Sequence, residues 1–167
     1  MVITTDHGRD EKTGRGHGGQ SDRQRSTWMI TNYKNLNSYA AYFDLGIVDI
    51  MPSIARYLNV KFPKSVEQEV DGTPFIGPVS ITALKANYVQ KHLDISWKAL
   101  EKTGKVKIWL STTNNFKTGT PDDYKLLGEV DISQQYYLAD LSQYPSDFYK
   151  IVLEAPNNML NKWITVK

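Results

Sequence analysis

The chain contains no cysteine, which excludes a disulfide framework and any thiolate metal site. It has no apolar run near the roughly 20 residues that a membrane-spanning helix needs. No secretion signal is visible either, although a leader on a longer precursor would leave no trace here. Excess charge of one sign is also missing. Twenty Lys and Arg against eighteen Asp and Glu give a formal charge of +2, too little to point to a nucleic-acid polymer or an anionic membrane surface. At 167 residues and 40% hydrophobic content there is material for one ordinary domain or two small ones.

Histidine is scarce, and its placement is uneven. Two of the three histidines fall in the first nineteen residues, together with a carboxylate. Val2 and Ile3 read as an apolar strand that runs through Thr4 and Thr5 into Asp6-His7-Gly8, and His17 follows in Gly16-His17-Gly18-Gly19. Carboxylate oxygen and neutral imidazole nitrogen suit a divalent ion such as zinc, and the glycines keep bulk away from whatever approaches it. Two readings stay open on residue types alone: a metal site, or a polar surface loop that happens to hold two histidines. Adjacent residues of a continuing strand would point to opposite sides, and three donors are too few for a closed structural site. The basic residues Arg9, Lys12, Arg15, Arg23 and Arg25 are interleaved with Asp10, Glu11 and Asp22, which reads as a solvated loop or as weak anion attraction near the histidines.

The runs Val2-Ile3-Thr4-Thr5-Asp6-His7-Gly8-Arg9-Asp10 and Gly16-His17-Gly18-Gly19-Gln20-Ser21 resemble C-terminal metal motifs of the alkaline phosphatase superfamily, in particular the type I phosphodiesterase/nucleotide pyrophosphatase group. Arg25 to Ile30 is similar to the strand after that group's histidine loop, Val48 to Ala55 to its last helix, and Glu69 to Pro74 to its closing segment. The resemblance implies a catalytic-domain segment over residues 1–76. It also implies two zinc ions, with Asp6 and His7 as ligands of one and His17 as a ligand of the other. Such ions clamp the oxygens of a phosphoryl or sulfuryl group. The nucleophile, a Thr or Ser, and the remaining ligands lie upstream in that group, and Thr4 and Thr5 occupy strand positions rather than the nucleophile turn. No catalytic residue is therefore assigned, and the chain alone is expected to be inactive. The implied partners are a small phosphoester substrate in the intact enzyme and a missing N-terminal half, with no nucleic acid polymer and no membrane. For the intact group an extracytoplasmic location is implied.

Farther along, Ile47, Ile50, Met51, Ile54, Ala55 and Leu58 recur at helical spacing, with Asp49 as N-cap, Pro52 in the first turn and Asn59 at the end. The Gly8 to Arg25 loop has no periodicity and is expected to lack structure without a metal or partner. Pro63, Pro74 and Gly77-Pro78 mark a boundary near residues 76–77.

From Val79 the pattern turns to β. Leu93, Ile95 and Trp97 alternate with polar neighbours, as do Val106, Ile108 and Leu110. Strands are expected at residues 81–88, 93–97, 106–110, 125–132, 136–141, 148–154 and 163–166. The fold class is therefore an α/β remnant of about two strands and one helix over 1–76, followed by an all-β sandwich of about seven strands over 77–167. The order of strands, Trp97 in the second and Tyr149 to Ala155 in the sixth resemble a fibronectin type III-like or immunoglobulin-like domain. Such a module serves as a structural spacer or binds a ligand, with Trp109, Tyr136 and Tyr137 as candidate stacking surfaces. The alternative function is thus a binding or structural sandwich whose first segment is a non-catalytic remnant. His92 reads as a turn or strand-edge residue.

Overall fold

The computed structural model describes residues 1–166 and is mostly β, with three sheets and a few short helices. It divides into two compact units, Met1–Leu36 and the chain from Asn37 onward.

In the first unit, strands β1 (Val2–Thr4) and β2 (Met29–Thr31) pair antiparallel with Ile3 opposite Ile30. Thr4 Oγ1 donates to Trp28 O at 2.8 Å and closes the ribbon's end. The 24 residues between the strands are not structureless as the sequence suggests. Asp10 Oδ1 accepts from the backbone of Lys12 and Thr13 and from the Thr13 hydroxyl, making a compact turn of the kind Asp forms with its own backbone. Helix α1 (Asp22–Arg25) starts at Ser21, whose hydroxyl accepts from Gln24 N. Local capping thus does what apolar periodicity cannot.

The second unit begins with helices α2 (Ser38–Tyr42), α3 (Ile50–Tyr57) and α4 (Lys64–Glu67). Helix α3 is entered through a 3₁₀ turn at Ile47–Asp49. It ends as the sequence indicates. Asn59 takes a left-handed φ of 55°, with its N–H on Arg56 O and that of Val60 on Ala55 O, the paired bonds of a Schellman cap. Asp49 holds the N-cap position as expected, but its side chain makes no cap hydrogen bond to the helix. Its side chain is buried and accepts from Gly46 N, Thr73 N and the Tyr39 hydroxyl, so it ties three segments together. Burial, then the adjacent Asp49 charge, pushes the Tyr39 phenol well above its ordinary value.

Seven strands follow: β3 (Ile81–Val89), β4 (His92–Ala99), β5 (Lys105–Ser111), β6 (Lys125–Asp131), β7 (Tyr136–Asp140), β8 (Phe148–Glu154) and β9 (Met159–Thr165). They form a three-stranded sheet, β3-β4-β7, and a four-stranded sheet, β6-β5-β8-β9. All pairs are antiparallel. The expected alternation is realised: Leu93, Ile95 and Trp97 from one sheet meet Val106, Ile108, Leu110, Ile151 and Leu153 from the other in a single buried core. Trp97 Nε1 donates to Ile132 O, so the one polar atom of its ring is satisfied. Tyr149 donates its hydroxyl to Tyr144 O at 2.8 Å and accepts from Ser146 N, locking the turn that enters β8. His92 opens β4 and is exposed.

The compact units do not divide at the 76–77 boundary drawn from prolines and glycine. Residues 64–70 lie on the outer face of the four-stranded sheet. Lys64 pairs with Glu154, Glu69 with Lys150, and Asn161 Nδ2 donates to Val70 O. Arg56 also reaches the carbonyls of Ile76, Pro78 and Asn157. Strand β8 is consequently buried on both faces, Lys150 and Val152 included. Proline placement marks turns in this segment; it does not mark a break in packing.

Candidate functional site

The three residues singled out from the sequence lie together in the first unit. Because β1 ends at Thr4, the chain bends at Asp6 and His7, and the two side chains no longer diverge as in a continuing strand. Gly8 makes this bend possible. A Cβ there would lie 1.8 Å from Arg23 O, so only glycine lets the 8 and 23–26 backbones approach this closely, and Gly8 N donates to Gln24 O.

His7 Nδ1 lies 2.7 Å from Gly8 O. A carbonyl only accepts, so Nδ1 carries a proton, and in the neutral ring the lone pair is on Nε2. That Nε2 is 3.6 Å from Asp6 Oδ1. Two atoms each about 2.0–2.1 Å from one tetrahedral zinc ion lie about 3.3–3.4 Å apart, so this pair fits a shared divalent ion with little adjustment. The His17 ring stacks on that of His7, with centroids 4.4 Å apart and planes inclined by 21°. Imidazole lone pairs lie in the ring plane, so two stacked rings do not converge on one ion. His17 therefore does not complete the coordination sphere of Asp6 and His7, and no group of three His, Asp or Glu donors meets at one point among the described residues.

Around the pair is an open cleft of about 460 Å³, lined by Thr5, Arg9, Arg23 and Trp28 among others. Sequence reading did not connect Arg23 or Trp28 with His7. Arg23 comes in through the close approach at Gly8, which leaves no periodic signal in the sequence, and Trp28 through the pairing of β1 with β2. Asp10 takes no part in the cleft's lining. The N–H and hydroxyl of Thr13 hold its carboxyl below the usual range.

In the second unit, the aromatic residues considered for ligand stacking are largely engaged. Trp109 Nε1 donates to Glu154 Oε2 at 2.7 Å, and the Lys64 ammonium sits 4.8 Å from its ring centroid. Tyr137 packs its ring against Gly128 and donates to Leu127 O. Tyr136 alone of the three is substantially exposed. Beneath α4, Lys150 is buried between Glu69 Oε2 at 2.7 Å and Asp122 Oδ2 at 2.6 Å, a charge cluster that alternation in β8 would have placed in solvent.

Comparison with known proteins adds little. No family model matches the chain, and no curated protein matches it. Among solved structures, the spore cortex lytic enzyme SleM of Clostridium perfringens is 14% identical over 56% of this chain and 29% of its own, with a TM-score of 0.39. The pectate lyase Pel3 of Pectobacterium carotovorum is 16% identical over 50% of this chain and 25% of its own, with a TM-score of 0.35. A DUF3244 family protein with an immunoglobulin-like β-sandwich fold, from Bacteroides vulgatus, is 16% identical over 54% of this chain and all of its own, with a TM-score of 0.33. This chain thus spans less than a third of the first two.

Proposed function

We propose that residues 1–76 are the C-terminal portion of a metal-dependent hydrolase domain similar to the type I phosphodiesterase/nucleotide pyrophosphatase group, with the sandwich as its appended module. The observation that carries this reading is the Asp6–His7 pair, a carboxylate oxygen and an imidazole nitrogen 3.6 Å apart with the tautomer fixed by Gly8 O. A divalent ion bound there supplies Lewis-acid stabilisation of phosphoryl oxygens. Asp6 contributes the negative charge, His7 Nε2 the lone pair, and His17 stands beside them as a donor toward a neighbouring ion. No position in this chain matches the nucleophile turn of that group, so these residues are contributors to a site completed by groups beyond them.

Two uncovered surfaces support the same reading. Ile3 and Ile30 face one side of the β1–β2 ribbon and remain 44% and 57% exposed. On α3 and its entry turn, Ile47, Met51, Ile54 and Leu58 remain exposed while Pro52, Ser53 and Ala55 are buried. Soluble domains rarely leave such apolar stripes bare, and a helix of this pattern belongs against a sheet.

The sandwich is read as fibronectin type III-like, from its three-plus-four strand order, the Trp97 core position and the Tyr149 hydroxyl on Tyr144 O. Its role is structural, because residues 64–70 cover the sheet face that presents Trp109. A ligand-binding role would draw on the exposed rings of Tyr136 and Trp163, which sit on strands of different sheets and form no common platform.

Calorimetric titration of the chain with zinc tests the catalytic reading. About one ion is expected to bind, and His7→Ala and Asp6→Ala should each weaken it by about tenfold or more, by loss of a direct ligand. A flat isotherm, or binding that His7→Ala leaves unchanged, overturns the proposal.

A further inference from the structure

We propose that Arg9 and Arg23 are the anion-binding side of the cleft at Asp6 and His7, gripping the oxygens of a phosphoryl or sulfuryl group whose aromatic or apolar substituent lies against Trp28. This inference rests on reading that cleft as part of a hydrolase site, and it concerns residues that the metal motifs do not include. Both guanidinium-bearing residues line the cleft, one at each side of the Gly8 approach. Their nearest acceptors are backbone carbonyls: Arg15 O at 3.2 Å for Arg9 and Glu11 O at 3.3 Å for Arg23.

Neither has a carboxylate within 4.0 Å among the described residues, whereas Arg25 pairs with Asp22 at 2.7 Å. Of the acids next to them in sequence, Asp22 pairs with Arg25, and Asp10, near enough to Arg23 to feel its charge, accepts from the Lys12 and Thr13 backbone. Among the residues that line the cleft, two arginines stand against the single carboxylate of Asp6, and backbone carbonyls rather than carboxylates hold their guanidinium groups, an excess that favours an oxyanion. Guanidinium donors match the tetrahedral oxyanion's geometry with paired, charge-assisted hydrogen bonds. The Trp28 side chain is half exposed and lines the same cleft, offering an apolar wall where the esterified group would lie.

The test uses the full chain, freed of metal by chelation and dialysis. Inorganic phosphate and phenyl phosphate are titrated and followed by ³¹P NMR, with zinc calorimetry run on the same samples. Wild type should bind both probes more weakly as sodium chloride is raised. Phenyl phosphate should bind a few-fold tighter than phosphate, an advantage that Trp28→Ala removes. The double variant Arg9→Gln/Arg23→Gln should weaken phosphate about tenfold, while Arg9→Lys/Arg23→Lys, which keeps the charge, should fall between the two. Backbone amide shifts of the β1–β2 ribbon report whether each variant is folded.

Phosphate affinity unchanged in a folded Gln variant overturns the inference, as does a wild-type chain that binds no phosphate at tens of millimolar. The two proposals fail separately. Zinc binding without phosphate binding removes the arginine role alone. Arginine-dependent phosphate binding without zinc binding removes the metal reading and leaves the anion site standing.

Discussion

Lys150 is 1% exposed and pairs with two carboxylates, Glu69 and Asp122, neither of which pairs with another cation among the described residues. Burying one ammonium with two carboxylates costs desolvation that only good geometry offsets, and here every oxygen is used. Tyr124 donates to Glu69 Oε1, and Thr113 and the Asn115 N–H donate to Asp122 Oδ1. Lys150→Met should destabilise the chain by about 3–5 kcal/mol in urea unfolding, because two buried charges lose their counter-ion. Adding Glu69→Gln and Asp122→Asn should recover much of that loss. A cost of under about 1 kcal/mol would contradict burial of the cluster.

The same residues set the acid limit. Burial works to raise the Asp122 carboxyl, but Lys150, Thr113 and the Asn115 N–H outweigh it and hold it below the ordinary range. Glu154 is likewise pushed up by burial and pulled lower overall by Lys64 and Trp109. A carboxylate whose folded pKa is depressed contributes stability that is complete above the unfolded value, about 4, and is lost as pH falls through the folded value. Thermal midpoints measured from pH 7 down to pH 2 should therefore begin to drop near pH 4. Asp122→Asn should flatten that drop, and a midpoint that falls equally in wild type and variant would contradict the assignment.

At the scale of elements, α3 is the piece whose surroundings least match its sequence. Its pattern calls for burial of Met51 and Ile54, yet it packs through the small side chains Ser53 and Ala55, with Ser53 Oγ accepting from Phe75 N. Met51→Glu and Ile54→Glu should each change stability by no more than about 0.5 kcal/mol, while Ala55→Leu should cost about 1–3 kcal/mol by overpacking. Denaturant unfolding separates the cases. A large loss at Met51 or Ile54 would mean that the stripe is covered in solution. Close backbone approach governs this region too: a Cβ on Gly72 would lie 2.0 Å from Val48 O, so the segment after α4 can seat against the α3 entry only with glycine there.

At the scale of the molecule, the strands of the sandwich were legible because each buries one face, and alternation at Leu93, Ile95 and Trp97 or Val106, Ile108 and Leu110 states that plainly. The end of α3 at Asn59 was legible from the residue's tolerance of a left-handed backbone. The packing of residues 64–70 on the sheet was not. It depends on single ion pairs, Lys64 with Glu154 and Glu69 with Lys150, that join residues more than eighty positions apart in sequence. The cleft was half legible: Asp6, His7 and His17 stand out as residue types, whereas Arg23 reaches it through the contact at Gly8 and Trp28 through the pairing of β1 with β2.

On the proposed reading, Asp6 and His7 form a divalent-ion site with the His7 tautomer set by Gly8 O. Long-range ¹H–¹⁵N NMR of the imidazoles, recorded before and after one equivalent of zinc, measures this directly. His7 should keep a protonated Nδ1 throughout, and zinc should shift its Nε2 resonance. His92, exposed at the start of β4 in the other unit, should be unmoved. An unchanged His7 spectrum, or a His7 protonated on Nε2 before zinc is added, would contradict it.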